Sequence, residues 1–216
     1  MNPPARPQAT LAPEWELGAT RSSHRWAQMP GNWDRLNTRA LFPSTNPWGI
    51  PDLPAADVEP AQLVPYNARH AIARATPGDA VHFFLDDYRF ETVWSKPERG
   101  LSRCATVGAA LTPDFSLWTT MPLAMQLWQV TVIPTVSWST PDSYPFAFAG
   151  ITPGSVVAVS TVGVVRDQQA RDLFADGYTA MLDHLHPTTV LIYGTAPTCP
   201  VGDTPVRVYP TRWAGR

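Results

Sequence analysis

Three segments decide how this chain folds: AVHFFLDD at 80–87, VGAALTPDF at 107–115 and VTVIPTVSW at 130–138. Each opens as an apolar run and closes on polar or aromatic residues. A strand buried on both faces reads as a continuous apolar run, and in parallel sheets ligands bind at the carboxyl ends. The spacing predicts strands over 81–85, 107–111 and 130–136. Pro134 inside the third argues for an edge position or a bulge, because proline cannot donate to a ladder.

Further along, 155–159 reads as a fourth strand. The stripe Ala170, Leu173, Phe174, Tyr178, Met181, Leu182 and Leu185 then predicts a helix over 167–185, with Asp167 as N-cap and Pro187 ending it. Strands follow over 189–193 and 206–209. Phe90, Val93 and Trp94 predict a short helix before the breaker Pro97, and Pro122 opens another that reaches Trp128. Alternating strands and helices imply an α/β fold with a mostly parallel sheet of repeated β/α units. A full eight-unit barrel normally needs about 250 residues. The expectation is an incomplete or distorted barrel, with an open doubly wound sheet as the alternative.

Residues upstream of 80 carry little periodicity. Residues 1–20 hold Pro3, Pro4, Pro7 and Pro13 and read as a mobile tail. Residues 21–79 read as an irregular Pro/Trp-rich arm that wraps the core through Trp26, Trp33, Phe42 and Trp48, with a helical turn over 65–74. The core domain is expected over 80–210, with a tail at 211–216. Arg35 and Arg39 beside Trp26 and Trp33 suit contact with single-stranded nucleic acid. A packed arm with solvated Arg heads is the reading these residues favour.

The 216 residues carry a net charge of −2, against the strong positive surplus that general DNA coating requires. Fifteen of the sixteen basic residues are Arg, Lys96 being the exception, as in a GC-rich coding sequence from actinobacteria or their phages. Cys104 and Cys199 lack CxxC spacing and read as reduced thiols. No 18-residue apolar run or apolar leader appears, so the expected location is the cytoplasm of the host cell, without a membrane partner.

Polar residues gather at the predicted strand ends: Asp86, Asp87, Arg89, Asp114, Ser137, Ser139, Ser160, Thr161 and Tyr193, with Glu91 just beyond the first and Trp138 closing the third. Asp86, Asp87, Glu91 and Asp114 are the candidate catalytic set, as general acid and base or as ligands of a divalent metal. Acids at such positions also cap helices and pair with Arg, as Asp87 can with Arg89. Arg89, Trp138, Ser139, Ser160, Thr161 and Tyr193 are candidate binding residues, with Trp26, Trp33, Arg35 and Arg39 in the arm. His184 and His186 point apart and lack a ligand set, so no resident metal or other cofactor is expected. No Walker loop, GxGxxG or GxSxG is present.

The blocks DDYRFETVW, LTPDFSLWTTMP, IPTVSW and VAVSTVGV, with WGIPDLP, FAGI and VLIYG, resemble an uncharacterised family of phage, plasmid and bacterial proteins. It is a domain of unknown function sometimes labelled as associated with rolling-circle replication. The matching positions are Asp86, Asp87, Phe90, Glu91, Trp94, Pro113, Asp114, Phe115, Pro134, Trp138 and Gly163. Members of that family carry a longer, helical, Arg/Tyr/Trp-rich segment where Trp128 here runs almost directly into VTVIP. In size and context the chain is also similar to phage recombination directionality factors. The resemblance implies a phage or prophage accessory protein for DNA transactions that binds a protein such as a serine integrase or a replication protein, and reaches DNA mainly through it. The strand-end carboxylates leave a different reading open, a β/α-barrel-type hydrolase or nucleic-acid-processing enzyme.

Overall fold

Among the described residues, seven parallel strands follow one another in chain order, in two sheets. β1 (Leu63–Pro65), β2 (Ala80–His82), β3 (Ala109–Leu111) and β4 (Thr131–Ile133) form the first; β5 (Val156–Ser160), β6 (Thr189–Tyr193) and β7 (Val206–Tyr209) form the second. In this computed structural model the described residues are 44–48, 50, 52–85, 97–112, 130–164, 167–199 and 202–211. The helices are α1 (Arg69–Ile72), α2 (Pro97–Val107), α3 (Tyr144–Ala147) and α4 (Gln168–Leu185), with a 3-10 turn at Pro141–Ser143 before α3.

The two sheets meet at a single bridge between Thr135 and Ala158. Ala158 N–H donates to Pro134 O and Val136 N–H to Ala158 O, both at 2.8 Å. β4 is the edge strand of its four-stranded sheet, as Pro134 suggested, and the proline stands just past it, where the isolated Thr135 bridge reaches β5. Only its carbonyl is needed there, so the missing N–H costs nothing. Among the described residues no strand pairs β7 with β1, so the sheet stays open, as an incomplete barrel. Across that opening the Tyr209 hydroxyl donates to Pro60 O at 2.5 Å, and Glu59 accepts from Thr189 Oγ1 at 2.6 Å.

Side chains alternate along each strand, and one set from all seven strands faces a shared inner core. Leu63, Ala80, Leu111, Ile133, Ala158, Leu191 and Tyr209 belong to it, with Phe84 packed at its margin. Burying an aliphatic side chain of this kind stabilises by about 1.5–3 kcal/mol.

Local chemistry accounts for the element ends. Asp167 Oδ1 accepts from Ala170 N–H at 2.8 Å and caps α4, and His186 closes it in the left-handed region at φ 43°. Pro97, read from the sequence as a breaker, instead opens α2, because the first turn of a helix has no use for its N–H. That helix runs to Val107, so β3 starts two residues later than its apolar run suggests. The helices expected around Phe90–Trp94 and Pro122–Trp128 lie outside the described residues.

β1 comes from the segment read as wrapping arm, and it is flanked by the expected helical turn, α1. Of the arm's aromatic anchors only Trp48 is described, and it is 38% exposed. Its neighbours take the buried role: Ile50 is held by two bonds to the Asn46 side chain, and Leu53 donates its N–H to Gly150 O. No helix among the described residues is long and apolar enough to cross a membrane.

Candidate functional site

Because the seven strands among the described residues are parallel, the carboxyl ends within each sheet lie at one edge, where ligands bind in folds of this kind. The candidates Asp86, Asp87, Arg89, Glu91 and Asp114 follow β2 and β3 in the chain but lie outside the described residues, as do Trp26, Trp33, Arg35 and Arg39. The remaining five can be placed.

Ser160 and Thr161 end β5 and tie it to the end of β6. Thr161 Oγ1 donates to Thr195 O at 2.8 Å and accepts from Thr195 N–H at 2.9 Å, while Thr161 N–H donates to Tyr193 O. Ser160 Oγ accepts from Val162 N–H at 3.2 Å and lies 3.4 Å from Tyr193 O. Gly194 sits between them at φ 128°, and a Cβ there would overlap the Thr161 hydroxyl, so this clamp needs glycine. These hydroxyls complete the backbone bonding of two loops.

Trp138 turns toward α4. Its Nε1 donates to Leu173 O at 3.2 Å, and its ring lies directly on Gly177, 5.4 Å from the Phe174 ring. The one polar atom of the indole is thus spent on the helix backbone. Ser139 is exposed and its N–H donates to Ser143 Oγ at 2.9 Å, which shapes the turn into α3.

Tyr193 alone of the five faces the inner core, and it brings in a residue that the sequence reading did not single out. His82 has the same inward parity as Ala80 and Phe84, and its ring centroid lies 4.4 Å from Tyr193 and 5.8 Å from Phe84. Phe84 stacks on Tyr193 at 4.9 Å and 12°. His82 is fully buried, and neither ring nitrogen has a hydrogen-bond partner. Desolvation pulls its pKa down from 6.5 to about 3, so the imidazole is neutral at physiological pH. The available signal was a lone histidine at core parity inside AVHFF.

Cys104 is buried and free, and burial pushes its thiol up to about 12, so it stays protonated. Cys199 is free as well. No group of three or more His, Cys, Asp or Glu among the described residues is placed to hold a metal ion.

Fold and site define an open, parallel α/β protein in which hydroxyls tie the ends of β5 and β6 and a buried histidine packs on aromatic rings. The chain belongs to the family described as "Domain of unknown function (DUF4417)", whose model matches residues 42–210. It is 47% identical to the Gene 1 protein of Mycobacterium phage L5, over 93% of this chain and 95% of that one. It is 45% identical to the Gene 1 protein of Mycobacterium phage D29, over 91% of this chain and 79% of that one. The L5 alignment runs over 217 positions but takes in 93% of these 216 residues, so that relative carries residues this chain lacks. No solved structure matches the chain.

Proposed function

We propose that this protein is a phage accessory factor for DNA transactions that works by binding a protein partner. The partner is a serine integrase, which would make the protein a recombination directionality factor, or a component of the replication machinery. The observation that carries this reading is the near full-length relationship to Gene 1 proteins of two mycobacteriophages. Two features support it. The net charge of −2 favours reaching DNA through a partner over coating it directly. The hydroxyls of Ser160 and Thr161 and the Trp138 indole are engaged in holding the fold together.

The test combines purified protein, a cognate serine integrase and paired recombination-site DNA. The expected result is excision in its presence, and a further gel shift only when integrase is bound. Unchanged recombination and replication reactions, from protein shown to be folded, would overturn the reading.

One observation keeps an enzymatic reading in view. Asp86 and Asp87 follow His82 by four and five residues, and Asp114 follows the end of β3 by three. A hydrolase or nucleic-acid-processing enzyme would use them with Glu91, as acid and base or around a divalent metal. Titration calorimetry with Mg²⁺ or Mn²⁺ separates the two readings: metal uptake lost in Asp86→Asn and Asp114→Asn favours the enzyme.

A further inference from the structure

We propose that the carboxyl end of the inner core is a binding site for an uncharged planar heterocycle of the nucleobase type. His82 is its hydrogen-bonding group and Tyr193 its stacking face.

The placement of His82 carries the argument. It ends β2, faces inward, and is fully buried with both ring nitrogens unpartnered. An unsatisfied buried polar group costs about 1–3 kcal/mol, and buried polar groups are almost always paired. The buried threonine hydroxyls just past β3, β4 and β5 obey that rule: Thr135 and Thr112 bond each other's backbone, and Thr161 bonds Thr195. An aliphatic residue would suit a position between Ala80 and Phe84 if packing were its whole purpose.

The chemistry of the group selects the ligand class. A neutral imidazole offers one N–H donor and one lone-pair acceptor, and no charge. It suits the donor and acceptor edge of a heterocycle better than a phosphate or carboxylate. The two rings packed on the imidazole, Phe84 and Tyr193, bring no charge either. Planarity comes from the ring pair. Phe84 lies nearly parallel on Tyr193 at aromatic stacking distance, and it is only partly buried. Its side chain occupies the place of a planar guest, and rotation about its own torsions would exchange one stacked ring for another.

Two sources share this chemistry: a free nucleoside and an unstacked base of a DNA strand. The second deepens the DNA-transaction reading and rests on it; the first does not.

The test is NMR of the full-length protein labelled with ¹⁵N-histidine. Its five histidines include His82, assigned through His82→Gln. Thymidine, adenosine, an oligothymidylate and inorganic phosphate are titrated separately. Binding is expected as a saturable shift of the His82 nitrogens with a heterocycle and none with phosphate. Phe84→Ala, which opens the wall, should bind several-fold more tightly. His82→Leu should bind about ten-fold more weakly, the loss of one hydrogen bond.

A response to the oligonucleotide alone identifies a DNA base as the guest, and a response to the nucleosides alone identifies a free nucleoside. Static His82 resonances in a folded sample overturn the proposal, as does a shift driven by phosphate alone. The unsubstituted protein decides this even if a variant fails to fold. A negative integrase assay leaves the nucleoside result standing, so the two failures are distinguishable.

Discussion

At the scale of single residues, two positions carry more than their type suggests. Gly177 lies mid-helix in α4, where glycine ordinarily costs about 1 kcal/mol relative to alanine. It is required because the Trp138 indole rests on its Cα, and an added Cβ would overlap the ring. Gly177→Ala should therefore destabilise by roughly 1–3 kcal/mol, the usual cost of overpacking a tight contact, against the gain that helix propensity alone predicts. Urea unfolding measures this directly.

His82 gives the second residue-scale prediction. Above about 6.5 the imidazole is neutral in the folded and unfolded chain alike, and its titration adds nothing to stability. Below that pH the unfolded chain takes a proton that the folded chain refuses until about 3. Stability should therefore fall as pH drops across that window, by several kcal/mol in total if the core stays closed. His82→Leu should flatten that part of the profile of unfolding free energy against pH. An unchanged slope would mean that His82 finds a partner or solvent in solution.

At the scale of elements, α4 has both ends defined by single groups. Asp167→Ala removes the acceptor for Ala170 N–H and should cost about 0.5–2 kcal/mol. His186→Gly relieves a side chain held at φ 43° and should gain up to about 1 kcal/mol. Thermal unfolding of the pair should move in opposite directions. The clamp between the ends of β5 and β6 makes a third case. Thr161→Val leaves Thr195 N–H and C=O without their partner and should cost about 1–3 kcal/mol. Hydrogen exchange at Thr195 should rise ahead of global unfolding if the clamp acts locally.

At the scale of the whole molecule, an open parallel sheet leaves its first and last strands unjoined. Here the gap is spanned by side chains: Tyr209 to Pro60, Thr189 to Glu59, and Arg207 to Glu59 at 3.9 Å with both partners well exposed. The exposed ion pair contributes little. The buried hydroxyl matters more: Tyr209→Phe should lose about 1 kcal/mol and raise exchange in β1 and β7 together. The integrase experiment belongs to this scale too, because a partner-binding factor works through its assembled surface.

How much of this was legible beforehand follows from the range of the forces involved. The unit β5–α4–β6 could be read almost to the residue. Continuous apolar runs, a one-sided stripe and an Asp cap are local signals, and each element is long enough to display its period. β1 to β4 hold three residues apiece, too few to show a period, and β1 sits in a segment rich in turn formers. Pro97 was ambiguous because proline both ends helices and begins them, and only the following turns decide which.

The chain alone determined the α/β class, the parallel order of the later strands, the family to which the protein belongs and the absence of a strong positive charge. These follow from composition, periodicity and residue order. The tertiary structure alone decided what the polar strand-end residues do. Thr161 meets Thr195, Trp138 meets Leu173 and His82 meets Tyr193 across 34, 35 and 111 positions of chain. A hydroxyl, an indole or an imidazole reads the same in sequence whether it faces a ligand, a loop or a helix. What settles its role is which distant partner the fold places against it, and whether water is excluded there.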